Sequence, residues 1–93
     1  MNKNKLKIAR NKVDLLDQKI FNLIKQRTQI VKYMLRLKKF KKDIVDHKRN
    51  NEIFKKIKNK SIKNSMDSKL TKRIWKAIIW SYVDYQRRNF KKK

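Results

Sequence analysis

Apolar residues recur along the first third of the chain at alternating steps of three and four: Leu6, Ala9, Val13, Leu16, Ile20, Leu23, Ile30, Met34 and Leu37. This is the heptad seam of an amphipathic helix, and it predicts a long first helix over about residues 6–40 that packs against other helices. Arg27 falls in the same register, between Leu23 and Ile30. A guanidinium in a row of aliphatic side chains is costly to bury without an anion. Either a carboxylate of the protein, such as Asp14 or Asp17 of a partner helix, or a ligand has to meet it. The stripe beside the seam carries Arg10, Asp17, Ile24, Val31 and Lys38, one heptad apart. On a continuous helix Lys38 would lie about 16 Å beyond Arg27 on the same side, whereas Arg10 would lie roughly 25 Å from Arg27 and 42 Å from Lys38. Arg10 can therefore join a site with these two only if a second subunit running antiparallel supplies it, and two-fold symmetry would then make two equal sites.

Two further helices follow from the same pattern. The first connection is expected over residues 43–46, with Lys39, Phe40, Lys41 and Lys42 in the last turn of the long helix. Asp46 is a candidate N-cap for a second helix over about residues 46–63, with Arg49, Asn50, Ile53 and Ile57 on one face and Phe54 beside them. Asn64 and Ser65 are the least helical residues available, and Asn64 is expected in the left-handed conformation that closes a helix, with Met66 packed under the turn. Asp67 or Ser68 would cap a third helix over about residues 68–90. There Ile74, Ile78 and Tyr85 read as core, while Trp75, Ile79, Tyr82 and Gln86 bring an amide onto an apolar stripe. Residues 1–5 and 87–93 read as polar or basic ends that fray.

Composition narrows the class. The 93 residues suit a single domain and include no Gly, Pro or Cys, which argues for an all-α fold and against hairpins, phosphate loops, disulfides, thiolate nucleophiles and Cys-ligated metals. His47 is the lone histidine and cannot build a metal cluster; it reads as a surface residue, and no cofactor is expected. With 30 Lys and Arg against 7 Asp and Glu, the formal net charge is +23. One consequence is a rival reading of another class, a basic helical protein that binds nucleic acid. Lys is spread over all three segments, however, so a solvated basic surface with only non-specific affinity for polyanions is the expected case. No apolar run is long enough to span a bilayer and the first residues lack an apolar leader core, so a soluble cytoplasmic protein is expected.

What remains for chemistry is a set of donors: Arg10, Arg27, Lys38, Arg49 and Gln86. Such a set can bind a small dicarboxylate and stabilise charge that develops as bonds change, with no proton exchange or covalent intermediate.

Here the chain resembles the all-helical class of chorismate mutases, from residue 8 to residue 90. The resemblance rests on IARNKVDLLDQKIFNLIKQR at residues 8–27, on Lys38 eleven positions later, on IVDHKR at residues 44–49, and on RIWKAIIWSYVDYQ at residues 73–86. It implies an intertwined two-fold dimer of three-helix chains that converts chorismate to prephenate by a Claisen rearrangement. It also implies that Arg10 from the partner and Arg27 hold the two carboxylates, with Arg49 in the same pocket, and that Lys38 and Gln86 donate to the ether oxygen. Asp46 has two readings, cap or substrate contact. Two positions depart from the common family pattern: Asn50 stands where many members have a Glu that contacts the substrate hydroxyl, and Tyr82 stands where many have a small Ser. Both departures also suit the related isochorismate pyruvate lyases, which remain the alternative.

Overall fold

Without Gly or Pro, the places where this chain leaves the helical path are set by caps and by packing. The computed structural model describes residues 2–91: three α-helices, α1 (Lys3–Leu37), α2 (His47–Lys63) and α3 (Ser68–Asn89), and a short 3-10 helix (Lys41–Ile44) between α1 and α2. No strand occurs among the described residues. The backbone divides into two units, the first ending at Tyr33 and the second beginning at Met34.

The first unit consists of α1 up to Tyr33. It starts earlier than the seam predicts, because Asn2 caps it: its Oδ1 accepts from the backbone N–H of Asn4 at 3.0 Å and Lys5 at 3.2 Å. The expected fraying of residues 1–5 is thus not seen for residues 3–5, which are helical, while Met1 lies outside the described residues. The seam itself is open. Val13, Leu16, Ile20, Leu23 and Ile30 are each more than half exposed in the single chain, so the expected packing of this face against other helices is not met within the chain.

The second unit begins with the last turn of α1, which stops at Leu37 and not near residue 40. Phe40 takes an extended conformation, and residues expected in the last turn of α1 form the separate 3-10 helix instead. The cause is packing: Ile44 is buried with Leu35 and Val83, and Val45 and Phe90 lie against them, so the chain has to turn back after Leu37. Asp46 caps α2 by accepting from the Arg49 N–H at 2.9 Å, as its position predicts.

α2 and α3 pack together through a short turn. Met66 N–H donates to the Ser61 carbonyl at 2.9 Å and Ser65 N–H to that of Ile62 at 3.2 Å, a pair of bonds that closes the helix around a left-handed residue. That residue is Ser65, at φ 54°, and not Asn64. Asn64 stays right-handed, at φ −101°, and its side-chain amide donates back to the Lys60 carbonyl at 2.8 Å. Met66 is exposed, not packed under the turn. Asp67 caps α3, accepting from Lys69 N–H at 2.8 Å and Leu70 N–H at 3.2 Å. Between the helices Ser61 and Thr71 are buried with their hydroxyl oxygens 2.7 Å apart. Ser61 donates to the Ile57 carbonyl at 2.7 Å, so its oxygen is left to accept from Thr71.

On α3 the stripe that meets the rest of the second unit is Ile79, Tyr82, Val83 and Gln86, all buried. Ile74, expected in the core, is exposed, and Ile78 and Tyr85 are only half-buried. Residues 87–89 are helical and Phe90 joins the core, in place of the frayed tail expected there; Lys92 and Lys93 lie outside the described residues.

Candidate active site

Lys38 is the first residue beyond α1, and its backbone N–H still donates to the Leu35 carbonyl at 3.2 Å. Its side chain runs to α3, where Nζ donates to Oε1 of Gln86 at 2.7 Å, the short distance of a charge-assisted bond. Gln86 is buried, and its Nε2 donates to the Tyr82 carbonyl one turn back at 3.2 Å. The amide orientation follows from chemistry, since an ammonium can only donate and the oxygen must therefore face it. With one N–H directed at Gln86, the ammonium keeps two for a ligand.

Burial lowers the Lys38 pKa from its ordinary 10.5, against the opposing pull of Asp46 and then Asp43. Both carboxylates stand just after Lys38 in the chain, Asp43 in the 3-10 helix and Asp46 at the head of α2. Asp43 is not among the residues that the sequence pattern predicts for the site; in a chain with only 7 acids, its closeness to Asp46 is the signal that points to it.

The other candidates of the second unit differ in setting. Tyr82 is buried, with its ring edge-on to Tyr85 at 6.3 Å and 80°. Asn50 is half-buried on α2, and its backbone N–H donates to the Asp46 carbonyl at 2.9 Å. Arg49 is exposed, with its guanidinium 3.6 Å from Glu52, a loose ion pair on the surface of α2. Glu52, as the neighbour that occupies Arg49, was also missed; the i,i+3 spacing could have indicated it.

Two candidates belong to the first unit. Arg27 is half-buried and its Nη1 is buried, as expected for a cation set into an apolar seam. Arg10 is exposed. The second unit therefore brings Lys38 and Gln86 into direct contact, with Asp46 and Asp43 acting on the charge. Among the described residues, no three His, Cys, Asp or Glu side chains cluster as metal ligands would, and no helix is long and apolar enough to cross a membrane.

The ammonium of Lys38 is thus held by a buried amide that accepts one of its N–H bonds, and the family comparison bears on what such a group is for. A protein-family profile described as chorismate mutase type II matches residues 9–87. The chain belongs to the chorismate mutase type II family. All eight site candidates, from Arg10 to Gln86, lie inside the stretch matched to this mutase family. No curated protein and no solved structure matches the chain.

Proposed function

We propose that the protein is a chorismate mutase that rearranges chorismate to prephenate in the cytoplasm, as a homodimer of one single-domain chain, residues 1–93, in which Arg10 of each subunit serves the site of the other. Family membership supports the reaction class, and the observation that carries the reading to residues is the 2.7 Å contact of Lys38 with buried Gln86. The substrate carries two carboxylates, which Arg27 and the partner-supplied Arg10 hold, with Arg49 and Asn50 reaching the ring side and Tyr82 forming part of the wall. Asp46 serves as the α2 cap and moderates the charge on Lys38.

Bond breaking leaves negative charge on the ether oxygen. Lys38, with its free N–H bonds, donates to that oxygen more strongly in the transition state than in the ground state, which lowers the barrier. Gln86 joins it by turning its amide so that Nε2 leaves the Tyr82 carbonyl and faces the oxygen; that carbonyl keeps its own helical partner. Holding the enolpyruvyl arm over the ring is the task of the arginines, and it acts by orientation. No cofactor is required, since the step is an intramolecular exchange of bonds.

The exposed seam of α1 supports the dimer. Five aliphatic side chains more than half exposed along one face are a surface that a second copy would cover. A second reading, an isochorismate pyruvate lyase of the same fold, is favoured by Asn50, which provides no carboxylate beside the substrate hydroxyl. Purified protein should consume chorismate and yield prephenate. Release of pyruvate from isochorismate with chorismate left intact would reassign it to the lyase, and inertness toward both would reject the enzyme.

A further inference from the structure

Away from the Lys38–Gln86 pair, a groove of about 470 Å³ between α2 and α3 is lined by Phe54, Ile57, Lys55 and Lys58 from α2 and by Ser68, Lys69 and Lys72 from α3. No carboxylate lines it. Each helix contributes its lysines as an i,i+3 pair, with Cβ atoms about 5–6 Å apart, so like charges stand side by side at a cost that an anion would relieve. Asp67, the cap just before α3, is turned to its bonds with Lys69 and Leu70.

We propose that this groove binds single-stranded nucleic acid, with one base laid on Phe54 and the flanking phosphates held by the four lysines. Three features favour this occupant. An aromatic ring among cationic side chains is how strands are held without sequence preference, because every base has a π-face and every linkage a charge. A duplex keeps its base faces stacked inside and would leave Phe54 unused. The net charge of +23 supplies long-range attraction to a polyanion. The inference stands apart from the mutase reading, since none of these residues is in the proposed catalytic set.

The test separates the groove from bulk charge. Binding of a labelled single-stranded oligonucleotide to the full chain is followed by fluorescence anisotropy across a salt series. The chain is compared with a variant carrying Lys55→Gln, Lys58→Gln, Lys69→Gln and Lys72→Gln. A charge-matched control carries Lys5→Gln, Lys12→Gln, Lys19→Gln and Lys25→Gln on the exposed surface of α1. The groove variant should bind roughly tenfold or more weakly at 0.1 M salt, with the salt slope shallower by about 2.8, four contacts at about 0.7 each. The control should change affinity by less than about threefold. Phe54→Leu, which keeps the apolar fill and the fold, should weaken binding about tenfold, and Phe54→Trp should restore it. Equal loss in the two lysine variants, an unaffected Phe54→Leu, equal binding of a duplex, or displacement of the strand by polyglutamate at matched charge would each overturn the proposal.

Discussion

Replacing Gln86 with Leu tests the centre of the proposed mechanism, because it removes both polar functions of one buried side chain while nearly conserving its volume. Two bonds are lost, the 2.7 Å bond accepted from Lys38 and the 3.2 Å bond donated to the Tyr82 carbonyl. The second costs little, since that carbonyl also accepts the helical N–H of residue 86. The first involves an ion, and such bonds contribute about 1.5–3 kcal/mol when buried. Lys38 is only half-buried, so water replaces part of the loss and the added apolar burial offsets more, leaving a stability change of about 1 kcal/mol. Catalysis should suffer far more. Removing one donor to a developing oxyanion costs about 10²–10³ in kcat, or roughly 2.7–4 kcal/mol. The ether oxygen of the ground state is nearly neutral, so KM should move little. Steady-state chorismate consumption, with circular dichroism to confirm folding, provides both numbers. A folded variant that loses less than about fivefold in kcat, or loses only affinity, would refute the idea that Gln86 acts on the transition state.

Four further outcomes are expected. Since burial lowers the Lys38 pKa, the alkaline limb of kcat/KM should fall below the ordinary lysine value of 10.5, and Asp46→Asn, which keeps a cap but removes the charge that raises this pKa, should move the limb to lower pH. The unfolded chain then holds that proton more tightly than the folded one, so Lys38 contributes a small rise in stability with pH just below 10.5, visible as a higher urea midpoint. Ser61→Ala or Thr71→Val alone should cost about 1–2 kcal/mol in urea denaturation, whereas the double variant should cost less than the sum of the two, because neither hydroxyl is left without its neighbour. Ser65→Gly should raise stability by about 1 kcal/mol, since Ser65 at φ 54° bears a strain that glycine avoids.

Much of this was legible in the pattern of residues, and the exceptions have physical causes. Three helices and the polar intrusion of Gln86 followed from periodicity, and the cap at Asp46 and the choice of Asp67 or Ser68 for the third helix from residue type, because each depends on near neighbours in the chain. The end of α1 did not. It is decided by Ile44 meeting Leu35 and Val83, a contact between distant positions that no local signal announces. Asn64 and Ser65 exchanged roles because the Asn64 amide found the Lys60 carbonyl inside the helix. Ile74 looked like core because α3 has two apolar stripes and the single chain covers only one. In the site, Lys38 and Gln86 were legible as donors for a ligand, but their contact with each other depends on where α1 stops.

The electrostatics of Lys38 also give position 50 a testable role. Its ammonium is partly desolvated, and Asp46 and Asp43 offset that cost. Asn50 stands one helical turn after Asp46 and so faces the same side of α2. A carboxylate there would add a third negative charge near the ammonium, stabilising its charged form but drawing its hydrogen bonds away from a ligand. With Asn50 neutral, the ammonium keeps more of its donor strength and gives up its proton at a lower pH. Asn50→Glu should therefore extend the alkaline limb of kcat/KM to higher pH. If the limb stays fixed while Asp46→Asn moves it, position 50 lies outside the field of Lys38, and the asparagine has to act on the substrate alone.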